Sequence, residues 1–157
     1  ARVNRSVDNA YGDRHQPIVA YLYRLLFDFA TQSGGKVLFA PLRLRLGPGK
    51  IREPDLIFLA SACDARRQDE FWTGADLVME VVSPGHPQRD LVTKRIEYAQ
   101  AGILEYWLVD PRVNSIVALP LEGGAYREHG RFQHGETTQS AIFPDLSIHV
   151  TGVMDAA

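Results

Sequence analysis

A mixed α/β fold, with a central sheet flanked by helices, follows from three features of the sequence. The run Leu77-Val78-Met79-Glu80-Val81-Val82 is apolar at all but one position, as a strand buried on both faces must be. Tyr106-Trp107-Leu108-Val109 is a second such run. Between them lies a segment with helical spacing. The unit 77–109 therefore reads strand–helix–strand, and its crossover makes the two strands parallel.

The elements follow in order along a chain of 157 residues, a length that suits one core. Residues 1–14 are polar, carry Asn4 and Gly12, and read as a poorly ordered arm ahead of a single domain over 15–157. From His15 to about Thr31, the residues Ile18, Val19, Leu22, Leu25, Leu26 and Phe29 recur at three- and four-residue spacings, which predicts an amphipathic helix. Ser33-Gly34-Gly35 ends it, glycine supplying the left-handed cap. Leu42-Arg43-Leu44-Arg45-Leu46 alternates, turns at Gly47-Pro48-Gly49, and continues as Lys50-Ile51-Arg52, so it predicts a hairpin. Its second strand is expected to run through Pro54 into Phe58 and Leu59, irregular at the proline, which cannot donate to a ladder. Residues 61–75 read as a loop or short helix. Ser83-Pro84-Gly85-His86-Pro87 breaks the strand that carries Glu80. Asp90 is placed to cap a helix that turns Leu91, Val92, Ile96, Tyr98 and Ala99 toward the core, and Gly102 closes it. Short strands are expected at Ser115–Leu119, Tyr126–Glu128 and Leu146–Val150.

Composition narrows the function classes. Hydrophobic content of 45% and charged content of 23% are those of a globular protein, which excludes a disordered chain. No apolar stretch approaches the roughly 20 residues of a membrane span. Ala1-Arg2-Val3-Asn4-Arg5 has no signal-peptide core, and a single cysteine, Cys63, forms no internal disulfide; both fit a reducing cytoplasm. The net charge of −2 is unevenly spread: residues 1–60 hold nine Lys/Arg against five Asp/Glu. Arg43 and Arg45 face away from the leucines of their strand. There they can follow a phosphate backbone, or simply keep an edge ribbon soluble.

Glu80 is the position that asks for a reason. A carboxylate inside an apolar strand costs several kcal/mol unless it is paired. A second acid, Asp55, opens the apolar run Leu56-Ile57-Phe58-Leu59. On a wheel of 100° per residue Lys94 falls at the edge of its helix's apolar arc, beside Leu91 and Tyr98, where a long side chain can carry its charge to a strand end. Two carboxylates and one ammonium can hold a hard divalent cation, Mg²⁺ or Mn²⁺, on a phosphodiester: the ion polarises the phosphate and acidifies a water, and the lysine meets the growing charge. The competing reading is a buried Glu80–Lys94 ion pair, a poor source of stability. Glu53 shares a strand face with Asp55 by alternation and is either a third carboxylate or a solvated acid. His86, His129, His134 and His149 show no zinc-like spacing.

Pro54-Asp55, Glu80-Val81-Val82-Ser83-Pro84, Asp90-Leu91-Val92-Thr93-Lys94, Tyr98, Gly102 and Glu105-Tyr106-Trp107-Leu108-Val109-Asp110-Pro111, in that order, closely resemble the bacterial Uma-type restriction endonuclease family of the PD-(D/E)xK superfamily. The resemblance runs from His15 to Val153. It implies a restriction-endonuclease-like central mixed sheet and a metal-dependent nuclease, with Asp55 and Glu80 as metal-binding and catalytic acids. The usual superfamily pattern has lysine two residues after the second acid; here that residue is Val82, and the resemblance makes Lys94 the replacement. It also makes His15 a substrate or metal contact. The family usually carries a further acidic segment ahead of the hairpin, and this chain is expected to begin after it or to lack it. DNA is the implied substrate and a homodimer the implied assembly. The alternative is a catalytically inactive nucleic-acid-binding or assembly module on the same fold, motivated by Val82 and the negative net charge.

Overall fold

The computed structural model of the protein describes residues 13–85 and 88–157. The expected arm therefore lies almost wholly outside the described residues, as do His86 and Pro87. Helix α1 runs from His15 to Ser33 and buries His15, Ile18, Leu22, Leu26 and Ala30 on one stripe. Gly34 ends it in the left-handed region at φ 81°, and its N–H returns to the Ala30 carbonyl. Strands β1 (Lys36–Phe39), β2 (Arg43–Gly47), β3 (Lys50–Arg52), β4 (Leu56–Leu59), β5 (Phe71–Trp72) and β6 (Leu77–Val81) follow. Then come α2 (Gln88–Gln100), β7 (Glu105–Asp110), β8 (Ser115–Glu122), β9 (Ala125–Tyr126), β10 (Gly130–Gln133), β11 (Thr137–Gln139), β12 (Ser147–His149) and α3 (Val150–Asp155).

The main sheet has the order β1-β4-β6-β7-β8-β10, with β9 paired to β8. Strands β6 and β7 are parallel and the other adjacent pairs antiparallel, so the sheet is mixed, as expected. On one face Leu56, Phe58, Met79, Val81 and Trp107 pack against α1 and α3. On the other Ile57, Leu59, Val78 and Tyr106 meet Tyr98 and Ala99 of α2 and Leu44 of β2. Covering both faces explains why β4 and β6 are buried at every position and carry no alternating pattern.

Residues 61–75, expected as a loop or short helix, carry the short strand β5, which pairs with β2, and three further expectations change. The second hairpin strand does not run on through Pro54: β3 pairs with β2 in a separate three-stranded sheet, and β4 joins the main sheet between β1 and β6. The bend at 53–55 leaves Asp55 at the point of entry into the main sheet. Helix α2 starts at Gln88, so Asp90 sits in its first turn and is not the residue that precedes it. Only Leu91, Tyr98 and Ala99 of α2 are buried, while Val92 and Ile96 are half-exposed, because the helix rests on a narrow strip of the sheet.

Candidate active site

Register brings the two acids together. Leu56 pairs with Met79 across the antiparallel β4–β6 ladder, and one step further along each strand sets Asp55 against Glu80 on the same face. Asp55 is held there by the backbone: the Val81 N–H donates to its Oδ2 at 2.8 Å. The same oxygen lies 3.3 Å from His15 Nε2. His15 begins the buried stripe of α1, so packing of Ile18 and Leu22 against the sheet aims the imidazole at the strand end. Its Nδ1 is buried and has no hydrogen-bond partner among the described residues.

Glu80 is enclosed. Its side chain is 5% exposed and that of Lys94 15%, so both groups have left most of their water behind. Tyr98 Oη donates to Glu80 Oε1 at 2.6 Å, and Lys94 Nζ to Oε2 at 3.5 Å. Lys94 and Tyr98 are one helical turn apart, which is why one carboxylate takes both. Burial is the largest influence on Glu80, the Asp55 charge the next. Together they push its pKa up to about 7, against the pull of Lys94 and Tyr98. Burial, reinforced by Glu80, drives the Tyr98 hydroxyl well above the ordinary tyrosine range, so it stays a donor. Val82, where the superfamily pattern has lysine, is buried, and its N–H donates to the Val109 carbonyl at 2.8 Å.

The other predicted residues lie apart. Arg43 and Arg45 are exposed on β2 and line a groove of about 320 Å³ with Glu70 and Phe71; neither Asp55 nor Glu80 belongs to it. Glu53 is exposed in the bend between β3 and β4. Tyr98 is the residue that sequence reasoning assigned to the core alone. The available signal was its hydroxyl, which a buried tyrosine must satisfy, one turn from Lys94.

Among the described residues no group of three or more His, Cys, Asp and Glu side chains is arranged as a metal cluster. Two carboxylates remain, Asp55 and Glu80, and hard oxygen donors of this kind suit an ion that keeps several waters. Burial first and the Asp55 charge second raise the pKa of Glu80, and a divalent charge between the two acids would relieve both.

Comparison with known proteins agrees with this architecture. The Uma2 family model, described as "Putative restriction endonuclease", matches residues 8–151. The fold is similar to the crystal structure of a putative nuclease belonging to DUF820 from Anabaena variabilis, with a TM-score of 0.75 over 92% of this chain and 82% of that one. Identity between the two is 14%, so that likeness is one of fold. A search of curated proteins finds no match.

Proposed function

Because the chain belongs to the Uma2 putative restriction endonuclease family, we propose that it is a Mg²⁺-dependent endonuclease that hydrolyses DNA phosphodiester bonds, with Mn²⁺ as a substitute ion. The observation that carries this reading is the meeting of two carboxylates and one ammonium at a single strand end: Asp55 opposite Glu80, with Lys94 Nζ 3.5 Å from Glu80 Oε2. A divalent cation bound there supplies Lewis acidity toward a phosphate oxygen and a more acidic water.

The protein's own groups do the rest. Asp55 and Glu80 would hold the ion. The Val81 N–H and His15 fix the rotamer of Asp55, and Tyr98 fixes that of Glu80. Lys94, whose Nζ lies 3.5 Å from Glu80 Oε2, would present its ammonium to the negative charge that grows on the phosphate. The buried setting strengthens each of these interactions. A homodimer in the bacterial cytoplasm belongs to the same reading, since cutting both strands of a duplex takes two sites.

The alternative, a nucleic-acid-binding module without turnover, draws on Val82 in the usual lysine position. One experiment separates the two. Purified protein is incubated with supercoiled, linear and single-stranded DNA with Mg²⁺, Mn²⁺ or EDTA. The nuclease reading expects metal-dependent nicking or cutting that Glu80→Ala abolishes. Salt-sensitive binding without cleavage of any DNA form would leave only the module.

A further inference from the structure

A cleft of about 440 Å³ opens between α1 and β1. Val19, Tyr23 and Arg24 line it from the helix and Phe39 from the strand, together with His15 and Asp55. Its size falls in the roughly 300–1,000 Å³ range of small-ligand sites. Phe39 is 48% exposed, although it is a large aromatic on the edge strand of the main sheet. Tyr23 meets it edge-on at a centroid distance of 4.8 Å, which holds the Phe39 ring in place.

Resting on the nuclease reading, we infer that this cleft receives one unpaired nucleobase of the strand being cut, so that the substrate is DNA with unpaired or displaced nucleotides at the scissile phosphate. Three observations point to that occupant. The cleft is continuous with the carboxylate site through Asp55 and His15, so whatever fills it is joined to what the acids hold. Its walls are apolar and aromatic, which suits the face of a base and not a phosphate. A base stacked inside a duplex presents no free face, so only a nucleotide outside the stack can enter. Arg24, an exposed lining residue whose guanidinium lies 5.5 Å from the Tyr21 ring centroid, adds a cation that the backbone of such a strand can meet.

The test reads binding apart from cleavage. Single-stranded oligonucleotides carrying 2-aminopurine, and fully paired duplexes of the same sequence, are titrated with the protein in Ca²⁺. The single strand is expected to bind more tightly, and its fluorescence to be quenched as the base stacks. Phe39→Ala should weaken single-strand binding roughly 5- to 150-fold, the span of one lost base–aromatic stack. It should also abolish the quench and leave duplex affinity unchanged. Phe39→Leu, which keeps an apolar contact with Tyr23, should lose the quench as well, and Phe39→Trp should retain it. Equal binding of both DNA forms, or unchanged quenching in Phe39→Ala, would overturn the inference. So would a monomer–dimer equilibrium that Phe39→Ala abolishes, because a second copy would then cover the cleft. Metal-dependent duplex cutting without any quench sinks this inference and leaves the nuclease reading intact; quenching without cleavage of any DNA removes the nuclease reading and leaves the cleft as a base-binding site alone.

Discussion

Replacing Glu80 by glutamine keeps the shape of the side chain and an acceptor for Tyr98 but removes the charge. In the metal-free protein the Glu80 carboxyl is held near pKa 7, against 4.5 for an ordinary glutamate. The folded state therefore holds this proton more tightly than the unfolded chain. The stability that comes with the proton is present below pH 4.5 and is lost as pH rises through 7. At about 1.4 kcal/mol per pKa unit, roughly 2.5 kcal/mol goes between pH 5 and pH 8. Glutamine cannot titrate, so Glu80→Gln should be spared that loss. The gap between variant and wild type should move by about 2.5 kcal/mol in favour of the variant over this range, which is roughly 5–10 °C in Tm for a chain of this length. Urea unfolding in EDTA at several pH values measures it, provided the m-value is unchanged. Adding Mg²⁺ at pH 8 should then stabilise the wild type and not the variant. A gap that stays constant would mean that Lys94 and Tyr98 fully compensate the charge, and one that turns against glutamine at high pH that they outweigh its burial. Glu80 would then be a structural ion-pair member, and the strained-acid argument would fail.

Lys94→Met should lower metal-dependent DNA cleavage by roughly 100- to 1,000-fold, with a far smaller effect on DNA affinity, as single-turnover assays and equilibrium binding would report. Unchanged cleavage would remove lysine from the site. Tyr98→Phe deletes a donor 2.6 Å from Glu80 Oε1 and should cost about 2 kcal/mol above pH 7 and less near pH 5, because the lost bond favours the ionised acid. A uniform cost across pH, seen by denaturant unfolding, would contradict this. Arg43→Ala and Arg45→Ala should each reduce the slope of log K against log salt by about 1 if the β2 ribbon tracks phosphates. Unaltered slopes would assign both arginines to keeping the ribbon soluble.

What could be read from sequence was set by how local its cause is. The stripe of α1 and the unbroken apolar runs of β6 and β7 come from burial on known faces, and each appears within two residues of its expected span. The Asp55–Glu80 pairing needed only strand order and register, and the cost of an acid among Leu77, Met79 and Val81 pointed there directly. Strand β1 left no signal, because four residues after a glycine carry no readable period. Strand β10 is too polar to alternate visibly, and α3 reads as the tail of a strand because Val150 is apolar in either conformation. Val92 and Ile96 were expected inside because a helical wheel cannot show how wide a strip of sheet lies beneath it. The role of Tyr98 was hidden for a similar reason: a buried aromatic ring is a default core residue until its hydroxyl is seen to reach a carboxylate. Arg43 and Arg45 were legible as outward-facing, but their separation from the acids depends on β2 leaving the main sheet, a non-local event.

Helix α2 rests on the sheet through three buried side chains, Leu91, Tyr98 and Ala99, and one of those is itself a contact to Glu80. Strand β6, which carries Glu80, and strand β4, which Asp55 immediately precedes, are enclosed at every position. The carboxylates thus belong to the sheet, and the ammonium and phenol to a helix that is also tied to its neighbours by Glu97 with Arg52 and by Arg95 with the Tyr126 carbonyl. Lifting that single segment would withdraw ammonium and phenol in one movement while the carboxylates stayed where they are. Under the proposed function, such a local opening would remove activity without unravelling the β-structure beneath.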